Sequence, residues 1–200
     1  KTSTKPPWLR VRLADGPEHE RVRKMVRRLG LETVCEQARC PNQWECWKCG
    51  TATVLILGCF CTRHCGYCAV QSGTPQPPDP DEPRRVALAV ATMGWKHVVI
   101  TSVTRDDLAD GGASQFGDCV KAVRNLASNC SIELLIPDLQ GNTAALAEIV
   151  TSRPAVLGHN LETVPRLYPE VRPQADFDRS LLLLRQVKDL DPEMLTKSAI

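Results

Sequence analysis

The sequence is poor in several things, and each shortage narrows what the chain can be. It has no excess of charge of one sign: 25 Lys and Arg stand against 23 Asp and Glu, so no basic footprint for nucleic acid is present. No apolar run approaches the roughly eighteen residues that a membrane span needs. The first residues carry no apolar core of the signal-peptide kind. No internal repeat and no low-complexity segment interrupts it. The first residue is Lys1 and not Met, so a missing or processed start is expected. A chain of 22.1 kDa is long enough for one domain with a sizeable core, expected in the cytoplasm, with a mitochondrial or plastid location left open.

What the chain has in quantity is cysteine, ten residues, and they are clustered. Clustering favours metal ligation over a secreted disulfide framework. Cys61, Cys65 and Cys68 follow one another as C-x3-C-x2-C. The apolar run Thr53 to Gly58 just before them reads as a buried strand, so the thiols sit on a loop leaving a strand's C-terminal end. Barrel-type α/β folds place their chemistry at that end. Three soft thiolates suit three irons of a [4Fe–4S] cluster and leave the fourth iron open, as a catalytic metal requires. A zinc knuckle and a structural disulfide are the competing readings. A second set, Cys35, Cys40 and Cys46, has C-x4-C-x5-C spacing, with Cys49 close behind. Two sets predict two clusters.

In chain order, the consecutive prolines near Trp8 predict an extended lead-in. Residues 17 to 29 predict a helix with Val22, Met25, Val26 and Leu29 inward and Gly30 as its cap. Its other face is basic, a solvated surface or a surface for an acidic protein. Beyond the cysteine loop, Gln71 to Pro83 reads as polar loop. Helices are then predicted over 84–93, over 113–128 with Phe116, Cys119, Val120, Val123 and Leu126 inward, from Asn142 through Val150, and from an Asp178 cap to about Leu190. Strands are predicted at His97–Ser102, Ser131–Ile136, Ala155–Gly158 and from Met194 onward. The segment Thr104–Gly112 reads as too rich in Asp and Gly to be core. Four βα units and a fifth strand predict a parallel α/β sheet with right-handed crossovers, laid out as a partial TIM barrel. A doubly wound open sheet has the same pattern. The expected division is an N-terminal extension over residues 1–50, carrying the auxiliary cysteines, and a (β/α) core over 51–200.

The cysteine loop, with Tyr67 inside it, resembles the radical S-adenosylmethionine (SAM) superfamily. The C-x4-C-x5-C set ahead of it narrows the resemblance to lipoyl synthases. So do Gly50-Thr-Ala-Thr53, Thr101 to Gly112, Glu133 to Asp138 and His159 to Pro169. The similarity runs from about Pro7 to the last residue.

This resemblance implies an α/β radical SAM fold and a sulfurtransferase with two [4Fe–4S] clusters and SAM as cofactors. The implied reaction inserts two sulfur atoms, at C6 and C8 of an octanoyl chain on a carrier lysine. A 5′-deoxyadenosyl radical from SAM removes each hydrogen, because these C–H bonds are too strong for acid–base chemistry. No side chain is therefore the catalyst. By resemblance, Cys61, Cys65 and Cys68 hold the SAM cluster, and Cys35, Cys40 and Cys46 hold a cluster sacrificed as sulfur donor. Tyr67 is placed against adenine, and Thr101, Ser102, Asn160 and Glu162 are candidate SAM contacts. Arg63 and His64 are candidates for tuning the cluster. Implied partners are octanoylated lipoyl carrier domains, namely E2 subunits of 2-oxoacid dehydrogenases and the glycine cleavage H protein, with flavodoxin or ferredoxin as reductant. Neither nucleic acid nor membrane is implied. The family's C-terminal serine ligand to the donor cluster has no counterpart here, so a truncated chain is expected. The alternatives are another sulfur-inserting radical SAM enzyme of the biotin synthase kind, or an inactive Fe–S module that binds lipoyl carriers.

Overall fold

The computed structural model describes residues 16–49 and 51–200; the lead-in around Trp8 lies outside them. Helix α1 (Pro17–Arg28) starts on a proline, has acids in its first turn and arginines in its last, and ends at Gly30 in the left-handed region. Strand β1 (Glu32–Thr33) leads into two short helices, α2 (Val34–Gln37) and α3 (Gln43–Lys48). Strand β2 (Thr53–Ile56) follows, then a short parallel pair, β3 (Phe60–Cys61) with β4 (Gln71–Ser72). Four further strands alternate with helices: α4 (Glu82–Met93), β5 (His97–Ser102), α5 (Ala113–Leu126), β6 (Ser131–Leu135), α6 (Thr143–Thr151), β7 (Val156–Gly158), α7 (Tyr168–Val171), α8 (Phe177–Leu190) and β8 (Leu195–Lys197).

The main sheet has the order β1-β2-β5-β6-β7-β8. From β2 onward the strands are parallel and neighbours in space are neighbours in sequence. A doubly wound sheet reverses its order at a switch point; this one never does, so of the two layouts the partial barrel is the one formed. The core between strands and helices is apolar, with Val86, Val90, Phe116, Cys119, Val120, Leu146 and Ile149 buried from the helix side. Cys119 is a small core residue, as its place in the helical period predicts.

Several sequence expectations need correction. Leu126 was placed inward by helical period but is 54% exposed; it is the last residue of α5 and borders a surface groove with Trp95. The cap of α8 is Asp176, whose carboxylate accepts from the Arg179 N–H at 2.6 Å, while Asp178 lies in the first turn. The loop Thr104–Gly112 is not wholly outside the core. Arg105 is 1% exposed, because Asp107 neutralises it and the Leu57 carbonyl accepts from it. Strand β1 and the β3–β4 pair are additions. β1 runs antiparallel to β2, with Glu32 opposite Leu55 and Thr33 opposite Val54, so the cysteine-rich extension continues the sheet.

Candidate active site

The loop carrying Cys61, Cys65 and Cys68 is pinned along its length. Thr62 donates from its N–H and its hydroxyl to the Thr104 carbonyl, and its hydroxyl oxygen accepts from the Asp106 N–H. The His64 N–H donates to Gln174 Oε1 and the Gly66 N–H to the Val171 carbonyl. Arg63, 4% exposed, grips Asp106 with two bonds of 2.6 and 2.8 Å and Asp138 with a third of 2.6 Å. Arg179 reaches the other Asp138 oxygen at 3.3 Å. Two cations and two carboxylates thus cancel beneath the thiols. Burial pushes the Asp138 carboxyl up, but the hydrogen bond and charge of Arg63 more than offset it and leave it below its ordinary value. Arg63 therefore acts as a strut joining the loop to the ends of β5 and β6. The residues after β7 and α7 supply the remaining pins.

Above the C-terminal ends of the strands lies a cavity of about 300 Å³. Its wall includes all three thiol-bearing residues of the loop, together with Tyr67, Thr101, Ser102, Asn160 and Glu162. The structure thus brings every sequence-predicted SAM contact to one cavity. Glu162 holds φ at +65°, a backbone state that non-glycine residues seldom adopt and that gathers at functional sites. The Tyr67 phenol is pushed up by burial and then by the Glu162 charge. Thr101 donates to the Leu135 carbonyl at 2.7 Å. His64 is exposed and turns its main chain, as the described bonds show, to Gln174.

Two ionisable cavity residues were not among the sequence candidates. Arg172 is buried; its Nη1 donates to the carbonyls of Asn160 and Leu161 and to the Tyr168 hydroxyl, and its guanidinium lies 5.2 Å from the Tyr168 ring centre. Every one of those acceptors is neutral, and its Nε has no partner. His159 is the other. Of the six buried side-chain polar atoms without partners among the described residues, three belong to this wall: Ser102 Oγ, His159 Nε2 and Arg172 Nε. Buried polar groups are ordinarily satisfied, so their gathering here marks a place where a polar ligand completes the bonding.

The second thiol set is built differently. Thr33 caps α2 by accepting from the Glu36 N–H, and the Cys40 N–H donates to the Cys35 carbonyl. Cys46 sits mid-way along α3 and Cys49 at its end, one helical turn on. Burial, and then the neighbouring thiols Cys35 and Cys40, push the Cys46 thiol up. Burial likewise pushes up Cys68, followed by the charges of Cys61 and Cys65 after a lowering bond from Val70. Bound iron would reverse both penalties. Both sets are free thiols, the soft donors that Fe–S clusters require. Among the described residues, no three ligand-type side chains converge on a single metal ion. Cluster thiolates each hold a separate iron and need not converge so closely. The two sets share a neighbourhood, because α2, which carries Cys35, also gives Val34 to the cavity wall, and Ala38, which ends it, lies there too.

A strand-end thiol loop above a parallel, sequentially ordered sheet is the arrangement of radical SAM proteins. The profile of the Radical SAM superfamily matches residues 55–196. A crystal structure of methylornithine synthase shares the fold, with a TM-score of 0.55 at 16% identity over 95% of this chain and 56% of that one. Within that class, the N-terminal domain of lipoyl synthase of the radical SAM family matches residues 1–40. Lipoyl synthase of Alkaliphilus metalliredigens is 54% identical over 98% of this chain and 68% of its own. That of Rubrobacter xylanophilus is 53% identical over 97% of this chain and 60% of its own. The chain belongs to the lipoyl synthase family, whose enzymes use SAM and two [4Fe–4S] clusters. It spans between 60% and 68% of the length of these two relatives.

Proposed function

We propose that the chain provides the SAM-cleaving and sulfur-donating parts of a lipoyl synthase, acting on octanoyl-lysine of a lipoyl carrier domain. The observation that supports this best is the shared wall: the C-x3-C-x2-C loop and the helix bearing Cys35 border one cavity at the sheet's C-terminal edge. Cys61, Cys65 and Cys68 would hold one cluster, and Cys35, Cys40 and Cys46 the other. When bound and reduced, the first cluster supplies the electron that cleaves SAM.

The chain's own residues do the positioning. Arg63 and its two carboxylates keep the loop from shifting. Glu162, an acceptor-only carboxylate, suits the ammonium or ribose hydroxyls of SAM, and Arg172 suits its carboxylate. Thr101, Ser102 and Asn160 offer hydroxyl and amide groups at the strand ends, and Tyr67 offers a ring face. Val34, Ala38, Leu55 and Val70 give the cavity the apolar surface that an octanoyl chain needs. Residues 1–50 would then be the donor-cluster extension and 51–200 the radical-generating core.

The carriers we propose are E2 subunits and the glycine cleavage H protein, with flavodoxin or ferredoxin as reductant, in the cytoplasm. Among the described residues no helix is long and apolar enough to cross a membrane. The test is anaerobic reconstitution followed by incubation with SAM, a reductant and an octanoyl-lysyl peptide, read by mass spectrometry. SAM cleavage with a peptide gaining two sulfurs is the expected result. Cleavage with dethiobiotin as the better substrate would sink the assignment.

A further inference from the structure

His159 is unexplained by the assignments above. It follows β7 directly, is 1% exposed and stands in the cavity wall. Its main-chain N–H donates to the Lys197 carbonyl at 3.0 Å, and its Nδ1 lies 2.9 Å from the Ile136 carbonyl. A carbonyl oxygen only accepts. Nδ1 must therefore carry the hydrogen, and Nε2 of the neutral ring is a bare acceptor. That acceptor is buried and has no partner among the described residues. The charged groups acting on the ring are Arg172, Asp138 and Arg63. Burial is the largest influence and keeps the ring neutral at neutral pH.

A tautomer fixed from one side, with the other nitrogen unpaired, is an oriented acceptor. The unpaired Arg172 Nε and Ser102 Oγ share the same wall, so the ligand they await is polar on several sides. We propose that His159 is a ligand-positioning residue: its Nε2 accepts a hydrogen bond from an N–H or O–H donor of the molecule bound in the cavity. This rests on reading the cavity as the SAM and octanoyl-lysine site. Two molecules there offer such a donor: SAM, through its ammonium or ribose hydroxyls, and octanoyl-lysine, through its amide N–H.

The two nitrogens can be separated by substitution. Asn at this position keeps a donor near Ile136 and lacks Nε2. Gln carries an amide oxygen to about the place of Nε2. Phe keeps ring volume and loses both. With the wild-type protein and H159N, H159Q and H159F, each loaded with both clusters, binding of labelled SAM is measured by equilibrium dialysis. Binding of a fluorescent octanoyl-lysyl peptide is measured by anisotropy, and iron content and thermal melting are followed in parallel. The expected result is an affinity about tenfold weaker for one of the two ligands in H159N and H159F. H159Q is expected to recover to within about threefold, with iron content and melting held. Which ligand weakens identifies the donor. If wild type binds both ligands and H159N binds them equally well, the His159 proposal fails and the cavity reading survives. If wild type binds neither ligand, the cavity reading fails and the proposal falls with it.

Discussion

The loop from Cys61 to Cys68 and the segment from Cys35 to Cys49 present similar thiols on different mountings. The first is tied to distant parts of the chain: Thr104, Asp106, Asp138, Val171 and Gln174 all bond to it. In hydrogen bonds the second is tied mostly to itself, by turns within α2 and α3 and by Thr51 folding back on the Cys46 carbonyl, while its apolar anchor is Trp47, buried against His19 of α1. Its hydrogen-bonded link to the sheet is the two-residue ladder of β1 on β2, and α2 packs on β2 beside it. Long-range bonds give a loop the stability of the whole fold, whereas local turns open at low cost. A cluster that must return unchanged after each turnover suits the first mounting. A cluster that is dismantled and rebuilt suits the second.

The largest effect should come from emptying one mounting at a time. Replacing Cys61, Cys65 and Cys68 by Ala should lower iron from about eight to about four per chain and abolish SAM cleavage. Replacing Cys35, Cys40 and Cys46 should cost the same iron but leave SAM cleavage in place. Equal loss of cleavage in both would erase the contrast drawn here.

Next comes the strut. Arg63→Gln leaves Asp138 buried with Arg179 as its remaining cation, so about 3 kcal/mol of unfolding free energy should be lost. Urea titration measures it, and release of iron to a chelator should accelerate at the loop cluster. A loss below about 0.5 kcal/mol would mean the loop is held by its backbone bonds alone.

A smaller effect follows pH. Both His159 and Asp138 lie below their ordinary values in the folded chain. The unfolded chain therefore binds more protons between the folded and the ordinary value of each, and stability rises with pH across both windows. For His159 the window starts at its ordinary value of about 6.5 and extends downward. Melting temperature should fall as pH drops below that value, by at most about 1.4 kcal/mol of stability per pH unit for one group. H159Q should flatten this part of the curve. An unchanged slope would show that other groups set it.

The smallest effect concerns Cys49, which is exposed at the end of α3. Cys49→Gly should leave iron content and Mössbauer parameters as they are. A changed quadrupole doublet for the Cys35, Cys40 and Cys46 cluster would make Cys49 a ligand and its mounting firmer than described.

Much of this was legible from residues alone. The family resemblance singles out Thr101, Ser102, Asn160 and Glu162, and they line one cavity because a parallel sheet delivers all its C-terminal ends to one edge. Helix α6 was legible from its Asn142 cap, which accepts from the Ala145 N–H. Strand β1 was not, since two residues carry no period and their pairing is tertiary. Arg105 was misplaced because polarity was taken for exposure, whereas Asp107 lets an arginine go inside. Arg172 and His159 were missed for a related reason. Their roles depend on which of their atoms lack partners, and only packing decides that. Spacing alone also leaves zinc and cluster closer than the motif suggests, since Cys46 and Cys49 repeat the C-x2-C step of Cys65 and Cys68.

The short ladder of β1 on β2 has a consequence for how the chain can vary. Thr33 faces Val54, Cys35 follows two residues later, and Leu55 of the same strand is part of the cavity wall. That ladder works as a gauge, setting how far the second thiol set stands from the first. A slip of one residue would move the segment by about 3.3 Å and turn its side chains to the opposite face. Extra residues between α3 and β2 could bulge outward and leave the gauge reading unchanged. A single residue gained or lost between Thr33 and Cys35 would alter it, however well the rest of the barrel folded.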